Sequence, residues 1–511
     1  MNLEETIQYL GKCRWCNFKE DIKQGRINDI SLETLPYDNG NKLFVIGEVR
    51  LKDDVVRYFS MPLAKKKECP DTMDTLQING EVYTDALIEP DFWQTFMKLM
   101  NDNNGIVHFP NGWLLKRHDI FNADAIDGCA EQPSQALGVE QSNTTLNVGD
   151  GRLAFKLERM LEFSQEVNSE IEMNEKLMRE KCEVMPKSFG GFIWQMPDGR
   201  TASSGIVQEF VHNKGDMWNY LLNYLQQKMQ EGYLQQRKLT AENCPEFMSL
   251  INTLSRKTQE MGECFTRADL NPHFTPEPVS ETFIRNYEKQ FQVLRYQAKR
   301  NIENNINRLP YDTGIQAKEI LSNWDTSTLN FVQSRLDKIR KSADKGMLNR
   351  VHGDFHLGQV MVTPDNDLRF IDFAGEPGLS MVERQQKHLS VRDVAGMYRS
   401  IKGYLSAVAV ENFAQQVTDD ISMQHRKHWG QEAIKPLIDA AAQTFLGSKT
   451  LQNDNWLALE VLRKNFYEID YELNNRPEMA YVPINGLIDL LGTGGHMAVN
   501  EKIKFLKQKS L

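Results

Sequence analysis

The fold of this chain is decided by the stretch Val351-His-Gly-Asp-Phe-His-Leu-Gly-Gln359, followed by Leu368-Arg-Phe-Ile-Asp-Phe-Ala-Gly-Glu-Pro377. The pattern predicts a loop carrying an acid, Asp354, and an amide, Gln359, and then an apolar strand that ends at a second acid, Asp372. Phosphoryl transfer needs a carboxylate that accepts the proton of the attacking hydroxyl, and oxygen donors that hold magnesium on the phosphates. An amide five residues after the first acid, with Asp-Phe after a strand, fits that requirement. The alternative is a hairpin whose acids simply lie in turns.

Length and charge limit the function classes. The chain has 511 residues and a formal net charge of −10, so we expect two or three domains, and neither nucleic acid nor an anionic membrane is a favoured partner. The N-terminal residues lack the layout of a signal peptide, and no apolar run reaches membrane-spanning length. We therefore expect a soluble, cytoplasmic protein. The seven cysteines are scattered, and Cys13-Arg-Trp-Cys16 lacks the second pair that a zinc site would use.

A β-hairpin is predicted near residue 150. Residues 141–148, a Gly-Asp-Gly turn and residues 153–157 have strand-like patterns. Lys156 stands opposite the apolar face of the second strand, either as a surface residue or as a cation that pairs with phosphates. Ser142, Asn143 and Thr144 are small polar residues that would approach the same phosphates.

Two later segments fit the same nucleotide site. A helix over residues 166–179 carries Glu172 and Glu170. We favour Glu172 as the partner of Lys156, and Glu170 is the second candidate. The apolar strand 204–211 has the position of a hinge that binds adenine through its backbone, near Gln208 and Phe210.

The C-terminal part, from residue 217 onward, is predicted to be mainly helical. Near its end, Tyr467 and Tyr471 lie four residues apart, beside Glu472 and Arg476. Aromatic rings beside carboxylates and an arginine suit a polyhydroxylated ligand such as a sugar, whereas a capped surface helix is the alternative. Two further residues are candidates for substrate contact, Arg384 and Arg392, although Arg392 has the alternative of an internal ion pair with Asp393.

These motifs together resemble those of the bacterial maltokinases, a branch of the aminoglycoside phosphotransferase-like kinases. The matching pieces are Val351–Val360, Ile371–Pro377, Arg392-Asp-Val-Ala-Gly-Met397 and Tyr471-Glu-Leu-Asn-Asn-Arg-Pro477, with Arg14-Trp15 and Ile27 near the N-terminus.

The resemblance implies an α+β, protein-kinase-like bilobal fold with a β-rich N-terminal cap and a large helical C-terminal lobe. The implied domains are a cap (residues 1–85), an intermediate subdomain (86–133), an ATP-binding β lobe (134–212) and a helical catalytic and sugar-binding lobe (213–511).

The resemblance also implies a function: phosphorylation of maltose by ATP with Mg²⁺, giving maltose 1-phosphate for α-glucan synthesis, with a functional link to a trehalose synthase. Asp354 would be the catalytic base, Gln359 and Asp372 would hold magnesium, and Lys156 would contact the phosphates. His356 and the group formed by Tyr471, Glu472 and Arg476 would contact the sugar.

One position departs from the family pattern. The family usually has Asp-Phe-Glu-Gly-Glu-Pro, and this chain has Ala374 at the third position. The departure leaves two alternatives open: a kinase of the same fold for another sugar such as glucosamine, and a non-catalytic, pseudokinase-like binding module.

Overall fold

The structure, a computed structural model, describes residues 3–67, 74–119, 124–137, 143–165, 168–267, 271–376, 379–417 and 421–491. The chain divides into two units. The first unit consists of residues 1–212 and 372–385, and the second of residues 213–371 and 386–511. The first unit is therefore discontinuous in sequence, because its last short segment follows a large part of the second unit.

Two antiparallel sheets make up most of the described part of the first unit. The six-stranded sheet has the order β1-β2-β3-β5-β4, with β11 paired to β3, and its strands are β1 (Ile27–Tyr37), β2 (Lys42–Leu51), β3 (Val56–Lys66), β4 (Leu76–Ile78), β5 (Glu81–Asp85) and β11 (Met160–Leu161). The seven-stranded sheet has the order β6-β7-β12-β13-β10-β9-β8, and its strands are β6 (Ile106–His108), β7 (Leu114–Asp119), β8 (Ser134–Ala136), β9 (Asn143–Val148), β10 (Leu153–Glu158), β12 (Ser188–Gln195) and β13 (Thr201–Glu209). The helices of this unit are α1 (Leu3–Lys12), α2 (Lys19–Lys23), α3 (Phe92–Asp102), α4 (Asp124–Asp127), α5 (Ser169–Arg179) and α11 (Met381–Arg384).

The predicted hairpin is present as β9 and β10, which pair in antiparallel register. Alternate residues of β10 are buried, including Phe155, whereas Lys156 lies on the other face. The turn uses three residues with positive φ, Gly149, Asp150 and Gly151. Gly151 has a φ of 87°, which a residue with a side chain rarely adopts, and a Cβ atom there would lie 2.7 Å from the His212 ring.

The core of the first unit lies against both sheets. Phe96 of α3 packs edge-on against Phe192, with ring centroids 4.6 Å apart, and also contacts Phe44 of the other sheet at 6.1 Å. Moreover, β7 pairs with β12, so the predicted intermediate subdomain contributes strands to the sheet that contains the predicted ATP-binding lobe. The four domain boundaries themselves stay a prediction.

The second unit is mainly helical in the residues described. Its helices are α6 (Met217–Leu234), α7 (Pro245–Thr266), α8 (Glu281–Asn305), α9 (Tyr311–Ser322), α10 (Trp324–Lys341), α12 (Val391–Arg399), α13 (Ser406–Gln416), α14 (Met423–Leu446), α15 (Asn455–Asn475) and α16 (Tyr481–Leu491). Its short strands are β14 (Glu277–Pro278), β15 (Met347–Asn349), β16 (Val360–Val362), β17 (Leu368–Phe370) and β18 (His388–Leu389). A π-helical turn, Ser400–Leu405, joins α12 to α13.

The expected fold class is confirmed: sheets dominate the N-terminal part and helices dominate the C-terminal part. None of the helices in the described ranges combines the length and the apolar character that crossing a membrane requires.

Helix α15 contributes many residues to one hydrophobic core of the second unit. Phe466 is fully buried, and its ring lies 5.4 Å from the ring of Phe291 on α8 and 5.4 Å from that of Trp324 on α10. Apolar burial is the dominant favourable contribution to folding, so this contact stabilises three helices together.

We expect Phe466→Ala to lower the free energy of unfolding by about 3–5 kcal/mol, because it leaves a cavity between three helices. Tyr471→Ala, on the same helix but at a side chain that is half exposed, should change it by only about 0.5 kcal/mol. Urea unfolding followed by circular dichroism measures both changes, and equal changes would contradict this account of the core.

Candidate active site

The loop after β15 is held by a buried carboxylate. Asp393 Oδ2 accepts a hydrogen bond from the backbone N–H of His352 at 2.8 Å, and Asp393 Oδ1 accepts one from Gly353 at 2.9 Å. Burial raises the pKa of Asp393, although the charge of His352 and the two amides oppose that shift. The hydrogen bonds of Asp393 thus go to the loop, where they fix the residues just before Asp354.

Three further contacts order the rest of the loop. The His352 ring is hydrogen-bonded to the Ile371 carbonyl, with Nε2 at 3.0 Å from the oxygen. The rings of Phe355 and Phe370 are edge-to-face at 4.8 Å. The Leu357 N–H donates to Ser400 Oγ, in the π-helical turn, at 3.2 Å. The loop is therefore anchored on β17 and on the helix that follows α12.

Asp354 lies between the imidazole of His356 and the ammonium group of Lys464. His356 Nε2 is 3.7 Å from Oδ2 of Asp354, and Lys464 Nζ of α15 is 3.7 Å from Oδ1. Burial opposes ionisation, because the Asp354 side chain is only 18% exposed, but His356 and Lys464 outweigh burial and hold the pKa of Asp354 well below its usual value. Asp354 is consequently a carboxylate at neutral pH, able to accept a proton.

The second predicted acid lies directly after β17. Asp372 has a φ of 69°, a left-handed conformation that costs free energy in a residue other than glycine and that clusters at functional sites. In the second unit, the main-chain oxygen of Gln359 accepts a hydrogen bond from Ile371 at 3.0 Å, so the loop and the strand before Asp372 are locked in register.

Lys156 is the centre of a charged cluster in the first unit. Its Nζ is 3.1 Å from both carboxylate oxygens of Glu170 and is hydrogen-bonded to Asp372. Burial disfavours the charge on Lys156, but Asp372 and Glu170 outweigh it, so the pKa of Lys156 lies above its usual value. The hairpin lysine is thus a partly buried, charged residue that is paired with two carboxylates.

The prediction that Glu172 is the partner of Lys156 is wrong. The structure pairs Lys156 with Glu170, and Glu172 accepts a hydrogen bond from Gln385 Nε2 at 3.3 Å. Residues two apart on a helix point in nearly opposite directions, so only one of the two glutamates faces the strand. The sequence offers no signal for the rotation of α5 that decides between them.

Most of the other residues predicted to bind ATP contact protein side chains in the structure, where it describes them. Thr144 is buried and its hydroxyl accepts a hydrogen bond from Arg159 Nε at 3.1 Å, whereas Asn143 begins β9. Gln208 donates to Asn174 Oδ1 at 3.0 Å, and the Phe210 ring lies 5.3 Å from that of His212. Ser142 lies outside the described residues.

Four of the predicted sugar residues lie together on α15 and its C-cap. The rings of Tyr467 and Tyr471 are nearly parallel, with centroids 6.4 Å apart, and the Arg476 guanidinium is 5.4 Å from the Tyr471 ring. Glu472 is 1% exposed and accepts hydrogen bonds from Tyr404 Oη at 2.9 Å and from Arg476 at 2.7 Å. Tyr471 is 44% exposed, so this group offers one open aromatic face beside a carboxylate that is already paired.

The two other predicted arginines contact other residues. Arg384, in the first unit, donates to the Leu379 carbonyl at 3.0 Å and pairs with Glu162. Arg392 NH1 lies 3.0 Å from His388 Nδ1. Substrate contact by either arginine stays a prediction.

Three residues of this region, Lys464, Tyr404 and Ser400, were not predicted from the sequence. Lys464 precedes Tyr467 by one helical turn, a spacing that would have placed it on the same face. Tyr404 and Ser400 lie in the π-helical turn, for which the sequence has no recognisable signal.

The two predicted magnesium ligands, Asp372 and Gln359, are oxygen donors. Across the described residues, no group of three or more His, Cys, Asp or Glu side chains is arranged to hold a metal ion. The Asp372 carboxylate and the Gln359 amide oxygen are nevertheless the donor types that Mg²⁺ takes.

Comparisons with known proteins relate this chain to glucosamine kinase. No family model matches the chain. The curated glucosamine kinase of Streptacidiphilus jiangxiensis is 30% identical over 143 residues, which are 28% of this chain and 31% of that protein.

Solved structures extend the likeness in fold to nearly the whole chain. A crystal structure of glucosamine kinase has a TM-score of 0.57 and 18% identity, covering 91% of this chain and 94% of that one. Glucosamine kinase in complex with glucosamine, ADP and inorganic phosphate has a TM-score of 0.56 over the same shares. The chain therefore has the glucosamine kinase fold, which confirms the kinase-like fold class expected from the sequence.

We expect Asp393→Ala to destabilise the loop, because each unmatched buried N–H costs about 1–3 kcal/mol. Hydrogen exchange of peptides containing His352 and Gly353 should become faster, and the free energy of unfolding should fall. Asp365→Ala, which removes an exposed carboxylate from the nearby turn, is the matched control. Unchanged exchange in Asp393→Ala would contradict the anchoring role.

Proposed function

We propose that this chain is an ATP-dependent sugar kinase and that glucosamine is its first candidate acceptor. The observation that carries the proposal is the ordered loop that leads to Asp354, in which Asp393 accepts hydrogen bonds from the backbone N–H groups of His352 and Gly353. The glucosamine kinase fold supports the proposal, because one of those structures contains glucosamine, ADP and inorganic phosphate.

In the proposed reaction, Asp354 accepts the proton of the attacking sugar hydroxyl. A bond forms between the sugar oxygen and the γ-phosphorus, and the bond from that phosphorus to the oxygen of ADP breaks, with its electron pair remaining on ADP. Because His356 and Lys464 keep Asp354 ionised, the base is ready before the sugar binds.

The cluster formed by Lys156, Glu170 and Asp372 would bind the phosphates of ATP. The ammonium group of Lys156 would contact the phosphates, and Glu170 would hold that ammonium in place. Asp372 and Gln359 would each offer an oxygen to magnesium, which when bound neutralises charge on the phosphate oxygens. The left-handed backbone of Asp372 is the kind of local strain that a structure retains for a functional side chain.

A second acceptor, maltose, is favoured by a specific observation. The stretch Tyr471-Glu-Leu-Asn-Asn-Arg-Pro477 resembles that of the maltokinases, and the open ring of Tyr471 suits the C–H face of a sugar. Phosphorylation of maltose to maltose 1-phosphate, and with it a link to a trehalose synthase, is therefore the second candidate. The non-catalytic alternative, raised by Ala374, is opposed by the presence of Asp354, Lys156 and Asp372.

The first experiment measures ADP release with ATP and magnesium against glucosamine, maltose, trehalose and glucose, with phosphorus NMR to identify the phosphorylated position. We expect turnover with one of these sugars and a loss of about 10²–10⁴-fold in kcat for Asp354→Asn, which keeps the shape but not the base. Asp337→Asn, on the exposed face of α10, is the matched control.

The pH profile of the wild-type enzyme tests the same assignment. Because the pKa of Asp354 is depressed, kcat should stay level as the pH falls to about 4, the usual aspartate value.

Full activity of Asp354→Asn would overturn the role of Asp354 as the base. Binding of ATP with no sugar turnover would favour the non-catalytic alternative.

The Lys156 cluster generates a separate prediction. We expect Glu170→Gln to raise the KM for ATP about tenfold, the equivalent of ~1.4 kcal/mol for a lost charged hydrogen bond. Glu172→Gln should have the smaller effect, because the Gln385 amide and not Lys156 contacts that carboxylate. Steady-state kinetics with ATP as the varied substrate measures the KM of both variants. A larger increase in Glu172→Gln than in Glu170→Gln would indicate that Glu172 holds the Lys156 ammonium.

A further inference from the structure

Lys464 is a largely shielded lysine of the second unit that lies beside Asp354. Its side chain is only 16% exposed, and Nζ lies 3.7 Å from Asp354 Oδ1, which is too long for a hydrogen bond. The ammonium also lies 4.6 Å from the centre of the Tyr467 ring, in a cation–π contact. In the part of the chain that the structure describes, Lys464 has no hydrogen bond.

Two other lysines of the same unit each have a carboxylate oxygen within hydrogen-bond distance. Lys257 is nearly buried, and its Nζ is 3.1 Å from Asp367 Oδ1, while Lys299 Nζ is 3.1 Å from Asp325 Oδ2. An ammonium has three N–H donors, and leaving a shielded donor without an acceptor costs free energy. A ligand oxygen beside Lys464 would remove that cost.

The position of Lys464 indicates which ligand oxygen would bind its ammonium group. The attacking hydroxyl would lie about 2.7 Å from Asp354, as in an O–H···O hydrogen bond. The phosphorus becomes bonded to that same hydroxyl oxygen, so the phosphoryl oxygens pass within reach of a group that neighbours Asp354. These oxygens carry the negative charge of the transition state, and an ammonium in a shielded site stabilises such charge strongly.

We propose that Lys464 is a further catalytic residue, whose ammonium group binds an oxygen of the phosphoryl group during its transfer to the sugar. The inference rests on the proposed function and deepens it. The bond from the sugar oxygen to phosphorus forms, the bond from phosphorus to ADP breaks with its electrons left on ADP, and the proton goes to Asp354. Lys464 keeps all its protons and contributes charge alone, and the Tyr467 ring holds the ammonium beside Asp354.

Kinetics of Lys464 variants provide the first test. Lys464→Met keeps the length of the side chain and removes the charge; we expect kcat to fall about 10²–10³-fold, as when a charge-stabilising donor is lost, with the KM for the sugar nearly unchanged. Lys464→Arg should recover part of the rate. Lys299→Met is the control, and thermal melting of each variant verifies folding.

A binding measurement separates a catalytic role from a positioning role. Titration of inorganic phosphate into enzyme that holds ADP and magnesium, followed by calorimetry, should show affinity at least about tenfold weaker in Lys464→Met, a loss of ~1.4 kcal/mol. Glucosamine binding should not change. A lysine that only held Asp354 in place would leave phosphate affinity unaltered.

The outcomes are distinct. A normal kcat in Lys464→Met, or a reduced kcat with unaltered phosphate affinity, would overturn the proposal. Failure of the proposed function would instead be seen in the wild-type protein, as no turnover with any sugar. The phosphate titration would still decide whether Lys464 binds a phosphoryl oxygen.

Discussion

The candidate site depends above all on one buried carboxylate that accepts two backbone hydrogen bonds. Asp393 binds the N–H groups of His352 and Gly353, and those residues lead directly to Asp354. A carboxylate with two acceptor oxygens can hold two successive amides at once, which a neutral side chain does less strongly. The loop therefore keeps one conformation although it is neither helix nor strand, and Asp354 is fixed by the backbone that precedes it.

Charge in this protein is arranged so that cations and carboxylates are matched locally. Glu472 is held by Arg476 and Tyr404, and Arg399 is paired with Glu468, with NH2 at 2.7 Å from the carboxylate. Buried ion pairs contribute little net stability, because desolvation offsets attraction, but they fix geometry. Lys464, which has no hydrogen bond among the described residues, departs from this local matching beside the predicted base.

The sequence predicted the parts of the fold that local pattern decides. The hairpin of β9 and β10 followed from alternating burial and a glycine turn, and the loop around Asp354 followed from residue spacing. Contacts between distant segments were not predictable in this way: the pairing of β7 with β12 and the choice of Glu170 over Glu172 depend on how elements pack. Tyr404 and Ser400 were missed because a π-helical turn leaves no periodic signal.

The discontinuity of the first unit has a consequence for how the protein is made. Lys156 meets Asp372 across a separation of 216 residues, and the segment 372–385 emerges from the ribosome only after residues 213–371. Domains generally fold as units as the chain is synthesised, N-terminal part first. Here, however, the first sheets can form early while their charged cluster must wait for a late segment. The nascent chain thus carries a lysine beside Glu170 without its second carboxylate until residues 213–371 have been translated, and the Lys156 cluster is among the last features of the first unit to be completed.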